Sequence, residues 1–323
     1  MIRVFATALG VLAFGVAAAG LASRYLPIGN EGILVAAAAS PYLAVAGLIA
    51  MTLFVGTRQW LLTILAAVLC LVMVGIQLPR YIGPEKTSVP GVAVRVVTAN
   101  LGLGEADPLP VVALARESAD VLVLQEMTPG VAEAMSSAGL DAEFPHRAID
   151  PRPHASGVGV WSRYPIVESG HITGYAMPML RARIRVPGVK VEPIVVAVHL
   201  AAPWVHPLHH FTKDMAAFPT TLRELSREAG TGAVIVAGDL NATYDMLPFR
   251  RLLEQGYRDA AEQAGAGLSR TYPSKPWRRP MIGIDHVLVY NCAATSARTV
   301  AVPGSDHRGL ATTVDLPVDL TAS

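Results

Sequence analysis

The stretch AVIVAGDLNATYD, residues 233–245, indicates the fold of the second part of the chain. It begins as a buried β-strand should, with an unbroken apolar run, and then places Asp239 and Asn241 two residues apart. Side chains two residues apart in an extended chain point to the same face, so the pattern predicts that these two polar groups converge. A plain turn is the competing interpretation, because Gly, Asp and Asn are ordinary turn residues.

Apolar strands that end in a polar residue recur through this part of the chain. The polar residues concerned are Asn100, Glu126, His199, Asp239 with Asn241, Asp285, and Asp306 with His307. Helical candidates lie between the strands at 109–118, 207–229 and 246–260. Strands that alternate with helices predict a layered α/β fold, whose strand ends are the usual place for a site. So many polar strand ends are difficult to explain as independent turns.

The first part of the chain contains three long runs without a charged residue, at 4–23, 33–55 and 59–79. Each is long enough to span a bilayer core, which needs about 20 apolar residues. A cleaved signal peptide is the alternative interpretation of the first run, but two further runs follow at once. The sequence therefore predicts a three-helix membrane anchor at 1–81, a linker at 82–92 and a separate domain at 93–319.

The part of the chain beyond the anchor is nearly neutral. Residues 1–90 hold five of the 26 Lys and Arg and two of the 25 Asp and Glu, which leaves 21 basic and 23 acidic residues. This balance does not provide the basic surface on which strong binding to duplex DNA depends. Loop charge does not fix the orientation of the anchor either, because basic residues flank the runs on both sides.

The polar residues at the strand ends suit one kind of chemistry. A glutamate and an aspartate are ligands for a hard divalent cation such as Mg²⁺. Two histidines can transfer protons or bind a phosphate. A zinc site is disfavoured, since the histidines lack close ligand spacing and the chain has only two cysteines.

The ordered motifs TANL, LQE, GVGVWSRYPI, VAVHL, GDLNAT, IDHVL and SDHRGL resemble the endonuclease/exonuclease/phosphatase family over about residues 93–317. The resemblance implies a four-layer α/β/β/α sandwich, here preceded by three transmembrane helices, and metal-dependent cleavage of a phosphoester. It further implies that Mg²⁺ or Mn²⁺ is held by Glu126 with Asn100 and Asp306 nearby.

The same resemblance assigns roles to five catalytic residues. Asp239 would orient or activate the attacking water, and Asn241 would bind the phosphate. His307, fixed by Asp285, would act on the nucleophile or on the developing phosphorane charge. His199 would protonate the leaving oxygen, although the sequence does not identify an acidic partner for it.

Other polar residues have structural alternatives. Arg163 in SRYPI and Trp277 in TYPSKPWRRPM are candidate substrate-binding residues, but a turn and an ordinary loop explain them as well. His286 is predicted to be structural. The cluster WVHPLHHF has His206, His209 and His210 at a spacing that could place a metal site on one helical face. A solvated or substrate-facing helix end that begins near a proline is the favoured interpretation.

The sequence thus predicts a membrane-anchored, divalent-metal-dependent phosphodiester hydrolase, with nuclease chemistry as the commonest in the family. A sphingomyelinase-like enzyme acting on a lipid head group is the alternative, and a non-catalytic binding module on the same fold is the alternative from another class. The predicted location is the cell membrane, multi-pass, with the catalytic domain extracytoplasmic by resemblance to other membrane-tethered bacterial members. No protein partner is inferable.

Overall fold

The computed structural model describes residues 1–83 and 91–318, which form two compact units. The first unit comprises Met1–Ile82 together with Thr243–Arg250, and the second contains the remaining described residues. Most of the predicted linker at 82–92, and residue 319 at the predicted domain end, lie outside the described residues. A segment from the predicted second domain therefore packs as part of the first unit.

The first unit contains helices α1 (Ile2–Ser23), α2 (Glu31–Thr57) and α3 (Trp60–Gln77), the last extended by a 3-10 turn at Leu78–Arg80. All three are long and apolar enough to cross a membrane. Large apolar side chains such as Phe5 and Leu71 are exposed at 73% and 72%, whereas small residues are buried between the helices. Small residues at helix contacts with large apolar residues outside are typical of membrane bundles.

The second unit is built on two six-stranded sheets. The strands are β1 (Gly91–Asn100), β2 (Val121–Gln125), β3 (His146–Asp150), β4 (Val158–Ser162), β5 (Ile166–Ile172), β6 (Met179–Ile184), β7 (Ile194–His199), β8 (Val234–Asp239), β9 (Arg258–Asp259), β10 (Asp285–Tyr290), β11 (Ala293–Ala301) and β12 (Arg308–Pro317). The first sheet has the order β11-β12-β1-β2-β4-β3 and the second has the order β5-β6-β7-β8-β10-β9. The pairs β1–β2 and β7–β8 are parallel, and the other pairs are antiparallel.

The helices that follow α3 are α4 (Pro108–Ser118), α5 (Pro129–Ser137), α6 (Leu140–Glu143), α7 (Leu208–Ala229), α8 (Leu247–Leu253) and α9 (Ala260–Gln263). Side chains from both sheets, Val123 and Ile235 among them, form one apolar core between the sheets. A second core joins the other face of the first sheet to α4 and α5. Helix α7 buries Phe211, Phe218 and Leu222 and contacts β8. The predicted four-layer α/β/β/α sandwich is confirmed.

The predicted helices at 109–118 and 207–229 are confirmed by α4 and α7. The single helix predicted at 246–260 is wrong, because the structure has α8, β9 and α9 in this region. Gly256 has a φ of +86°, a left-handed conformation that cannot continue a helix. The Asp259 side chain then caps α9 by accepting from Glu262 N.

Candidate active site

The register of three neighbouring strands brings the polar residues of the second sheet together. His199 at the end of β7 pairs with Asp239 at the end of the parallel strand β8. Asp285 at the start of the antiparallel strand β10 pairs with the same aspartate. In the first sheet, Asn100 pairs with Gln125, so Glu126 follows directly beside it. Strand register therefore assembles the polar residues within each sheet, and the contact of Asn100 Nδ2 with Asp239 Oδ2 joins the two groups.

Asp239 is 1% exposed and uses its two oxygens differently. Oδ1 accepts from Asn241 N at 2.8 Å, as in an ordinary Asx turn. Oδ2 accepts from Asn100 Nδ2 at 3.1 Å and lies 3.8 Å from Nε2 of both His199 and His307. The sequence offers a turn and an active site as alternative interpretations of Asp239. In the structure both hold, because Oδ1 forms the turn and Oδ2 faces the other polar residues of the site.

Asn241 reaches the site by a route that differs from the prediction. It is not a second residue on the face of a strand, because β8 ends at Asp239 and Asn241 has a left-handed φ of +50°. Its Nδ2 donates to Leu200 O at 2.9 Å. Asn241 and Asp239 nevertheless line the same cavity, so the turn produces the convergence that was attributed to strand alternation.

Gly238 explains how two strands approach closely next to this turn. It has a φ of +151°, and a Cβ atom built on it would lie 1.9 Å from Val198 O of the neighbouring strand. No side chain can be accommodated there without moving the β7 backbone. The glycine before the aspartate is therefore a packing requirement of the fold.

Glu126 is oriented towards the cavity and does not start a helix. Thr128 caps α5 by accepting from Val131 N, whereas Glu126 precedes the cap with a φ of +54°. Its Oε1 accepts from Asn100 Nδ2 at 3.0 Å, and its Oε2 accepts from Leu103 N at 2.6 Å. Asn100 thus donates to two carboxylates, while its own Oδ1 accepts from Gly102 N.

His307 lies between two buried carboxylates. Its Nδ1 is 2.9 Å from Asp285 Oδ2, and its Nε2 faces Asp239. Burial opposes the charged imidazolium, but the carboxylates of Asp285 and Asp239 outweigh burial and raise the pKa of His307 to about 10. The Tyr272 ring packs against the imidazole at a centroid distance of 4.8 Å. His307 is therefore a cation at neutral pH.

The environment of Asp239 disfavours the charged form of its side chain, whereas that of His307 favours the charged form. Burial, and then the nearby charge of Asp285, raise the pKa of Asp239 to about 6, while the two histidines oppose the increase. At neutral pH the carboxylate is ionised, with a proton affinity close to that required of a general base. The pair Asp239 and His307 thus combines a base and a cation within one cluster.

The orienting partner of His199 is a backbone carbonyl and not an acid. Ala155 O lies 3.1 Å from His199 Nδ1. A carbonyl only accepts, so Nδ1 carries the proton in this contact. Nε2 then faces Glu126 Oε1 and Asp239 Oδ2, each at 3.8 Å. No sequence signal could have identified this partner, because every residue type has a carbonyl.

Sequence reasoning gave no role to Ser305, although it belongs to the SDHRGL motif. Its hydroxyl donates to Asn100 O at 2.8 Å and accepts from His307 N at 3.0 Å. Ser305 therefore connects the end of β1 to the loop that carries His307. Asp306 lines the cavity with a half-exposed carboxylate, 4.0 Å from Lys275 Nζ.

The structure does not bring Arg163 to the site. Its Nε donates to Ala119 O at 3.1 Å and its Nη2 donates to Arg116 O at 2.9 Å. Because β4 is antiparallel to β2, Arg163 follows the end of β4 that lies opposite Val121, far from Glu126. The substrate-binding role predicted for Arg163 is withdrawn on this ground.

Trp277 and the WVHPLHHF histidines lie around the site in different ways. Trp277 is 79% exposed and is not part of the cavity wall, to which its loop contributes Tyr272 and Lys275. His206 lines the cavity, and helix α7 begins at Leu208 as the proline predicted. His286 is buried, with Nδ1 2.7 Å from Asp259 Oδ2 and Nε2 2.9 Å from Ala242 O. This is a structural environment.

The carboxylates that line the cavity, those of Glu126, Asp239 and Asp306 among them, are ligands that suit a hard divalent cation. One ligand atom each from Asp239, Asp285 and His307 lie within 4.8 Å of one another. Across the part of the chain that the structure describes, Asp285 Oδ1 is buried without a hydrogen-bond partner. Buried carboxylate oxygens are the ligands of hard cations, and an unpartnered one is unfavourable unless a cation or donor compensates it. The cluster opens into a cavity of about 320 Å³.

The family model of the endonuclease/exonuclease/phosphatase family matches residues 97–307. Because the match covers most of the chain, the protein belongs to this family. The family name covers nucleases and phosphatases, both of which hydrolyse phosphoesters. A comparison with curated protein sequences found no significant match.

Solved structures with the same fold include family members from two bacteria. The endonuclease/exonuclease/phosphatase of Bacteroides vulgatus is 15% identical, with a TM-score of 0.55 over 70% of this chain and 99% of that chain. The one from Beutenbergia cavernae is 19% identical, with a TM-score of 0.51 over 69% and 72%. D. rerio TDP2 in complex with a single-strand DNA product is 17% identical, with a TM-score of 0.53 over 69% and 98%. At these identities the similarity shows the fold.

Proposed function

We propose that the chain is a membrane-anchored, divalent-metal-dependent phosphodiester hydrolase with the chemistry of a nuclease. The observation that supports it is that the carboxylates of Glu126, Asp239 and Asp306, the Asn241 amide and the imidazoles of His199 and His307 all line a single cavity. A binding module has no need for an imidazolium held between two buried aspartates. The complete set therefore favours catalysis over the non-catalytic alternative.

In the proposed reaction, a water molecule attacks phosphorus while the bond to the leaving oxygen breaks. Asp239 Oδ2 accepts the proton of the water, for which its raised pKa suits it. The imidazolium of His307 stabilises the negative charge that develops on the phosphoryl oxygens. His199, oriented by Ala155 O, donates a proton to the leaving oxygen. Asn241 contributes to binding of the phosphate at the cavity wall.

A divalent cation, Mg²⁺ or Mn²⁺, would be held by Glu126 with Asp306 and Asn100 nearby. This choice is supported by the charges in the cluster, because His307 already lies between Asp239 and Asp285. A cation bound among those three residues would have to displace the His307 proton. When bound, the ion polarises the phosphoryl group and neutralises charge on it.

Removal of metal is expected to stop hydrolysis by the purified full-length protein. With bis(p-nitrophenyl) phosphate as substrate, EDTA should lower the rate by at least roughly 10²-fold, since a Lewis-acid metal contributes several kcal/mol. Mg²⁺ or Mn²⁺ should restore it. Single-stranded DNA and phospholipid vesicles, tested in parallel, identify the substrate. The proposal would be contradicted by a rate that EDTA leaves unchanged. It would also be contradicted by a protein that cleaves none of the three substrates.

A lipid head group is the second candidate substrate, and a specific observation favours it. The cavity wall includes the exposed apolar side chains Leu103, Trp204 and Val205, and Lys275 is the lysine that lines it. An apolar wall suits an amphiphilic phosphodiester, whereas a polynucleotide needs cations along its path. If the protein cleaves vesicle phospholipid faster than DNA in the same assay, the lipid head group is the substrate class.

The three apolar helices are proposed to anchor the chain in the cell membrane, with the catalytic unit outside the cytoplasm. The odd number of candidate spans supports opposite sides for Met1 and the catalytic unit. The direction rests on the resemblance to membrane-tethered bacterial members. Protease added to intact cells is expected to digest the catalytic unit. Digestion only after lysis would reverse the orientation.

A further inference from the structure

The segment Thr243–Arg250 leaves the catalytic strand β8 shortly after Asn241, yet it belongs to the helical unit. Within that unit, Asp245 is 2% exposed. Gln77 Nε2 donates to its Oδ1 at 2.7 Å, and Arg80 Nη1 donates to its Oδ2 at 3.2 Å. The carboxylate is thus bound by residues at the end of α3. One of them, Arg80, lies 165 residues before Asp245 in the sequence.

A second arginine approaches Asp245 from the end of α1. Arg24 forms an ion pair with Asp245 Oδ1 and is itself only 3% exposed, while Arg80 is 7% exposed. A buried guanidinium is unfavourable without a paired acid, and an acid that loses such partners is left as an uncompensated buried charge. The carboxylate and the two guanidinium groups therefore depend on one another.

The main chain of the segment is held by the same helix ends. Arg250 Nη1 donates to Asp245 O at 2.8 Å, and Arg250 also donates to Arg24 O. The Arg250 guanidinium lies over the Tyr25 ring, 5.4 Å from its centroid. The Arg80 guanidinium lies over the Tyr244 ring in the same way, at 4.7 Å. Both the side chains and the backbone around Asp245 are thereby fixed.

Only a short stretch of chain separates this anchored segment from the catalytic turn. Asn241 N donates to Asp239 Oδ1, and Met246 N donates to Thr243 O at 3.0 Å, so the chain makes two consecutive turns between β8 and α8. Asn241 has a left-handed φ of +50°, a conformation that asparagine adopts more often than most other residues but that still needs a turn to hold it. Such a conformation persists where the surrounding structure holds it.

We propose that Asp245 is a positioning residue for the reaction: by binding Arg24 and Arg80, it holds the turn that places Asn241 in the cavity. This inference rests on the proposed function. It gives the helices a second role beyond membrane attachment, because their ends Arg24 and Arg80 supply the partners of Asp245. A chain that began after α3 would lack those partners.

The test replaces Asp245 with asparagine in the full-length protein. Misplacement of a positioned group lowers turnover by as much as about 10²-fold, so we expect kcat to fall about 10- to 100-fold, with a rise in KM because Asn241 also contributes to phosphate binding. Arg24→Gln should have a similar effect. The double variant should be little worse than the poorer single variant, because both changes break the same contact.

Asp120→Asn is the matched control. Asp120 accepts from Arg95 Nη2 at 2.6 Å and precedes β2, at the opposite end of that strand from Gln125. It is also a partly buried aspartate paired with arginine, so the substitution removes a similar ion pair away from the turn. It should lower the unfolding temperature and leave kcat close to the wild-type value.

Amide hydrogen exchange supplies a readout that does not depend on activity. Peptides covering residues 238–246 should exchange faster in Asp245→Asn than in the wild type or in Asp120→Asn. Unchanged exchange, or a wild-type kcat in Asp245→Asn, would overturn the inference. If Asp245→Asn does not accumulate as folded protein, Arg24→Gln decides by the same criteria. An inactive wild type would contradict the proposed function alone, and exchange would still test the role of Asp245.

Discussion

Replacing His307 with alanine is expected to slow metal-dependent phosphodiester hydrolysis by roughly 10²–10⁴-fold, the contribution typical of a group that transfers or stabilises charge in the transition state. The physical reason is the loss of the imidazolium that contacts Asp285 and faces Asp239. Their negative charges then repel the phosphate instead of orienting a cation towards it. The measurement is the initial rate at saturating Mg²⁺.

His171→Ala is the matched control for this variant. His171 Nε2 also contacts an aspartate, Asp150 Oδ2 at 2.9 Å, but its side chain is 50% exposed and it does not line the cavity. Hydrolysis by this variant should match the wild type. A His307→Ala enzyme as active as His171→Ala would show that the imidazolium does not act in the reaction.

Much of the catalytic site could be predicted because its residues lie at strand ends. An apolar run that stops at Asp239 or His199 is visible in the sequence, and register then places both residues side by side. The layered fold follows from the same runs, since strands buried on both faces need helices outside them. Asn100, Glu126 and Asp285 were predicted for the site on the same basis, and the structure brings them together.

Contacts made by backbone atoms could not be predicted. The carbonyl of Ala155 orients His199 from 44 residues away, and nothing in the residue type signals it. Arg163 illustrates the reverse error. It is a candidate substrate-binding residue in the sequence, but the antiparallel pairing of β4 places it at the other end of the sheet, where its donors bind carbonyls.

The division of the chain into two units could not be predicted from the sequence either. Hydropathy separates the three apolar helices from the rest of the chain, and nothing in the sequence assigns Thr243–Arg250 to the unit that they form. Within the first unit, Asp245 pairs with Arg24 and Arg80, which are separated from it in sequence by most of the catalytic unit. Such long-range ion pairs leave no periodic pattern in a single sequence.

Asp239→Asn is the second substitution with a large expected effect. It keeps the size of the side chain and the oxygen that accepts from Asn241 N, so the turn should survive. It removes the charge that accepts a proton from water, and a loss of roughly 10²–10⁴-fold in rate is expected. The double variant with His307→Ala should be little slower than the poorer single variant, because residues that act as a unit are not additive.

Asp239→Asn should lose activity without losing thermal stability. Burial raises the pKa of Asp239 to about 6, above its usual value near 3.8, so ionisation is less favourable in the folded state than in the unfolded state. The folded state therefore loses stability as the pH rises through this range. Without metal at neutral pH, the asparagine variant should unfold at the wild-type temperature or above it.

The most direct test is the initial rate of bis(p-nitrophenyl) phosphate hydrolysis by purified full-length Asp239→Asn beside the wild type, at saturating Mg²⁺ and with an unfolding temperature no lower than that of the wild type. A catalytic Asp239 predicts a residual rate of about 1% or less of the wild type, the lower bound of a general-base contribution. A rate close to that of the wild type would mean that Asp239 only forms a turn, and would contradict the assignment of this cluster as the active site.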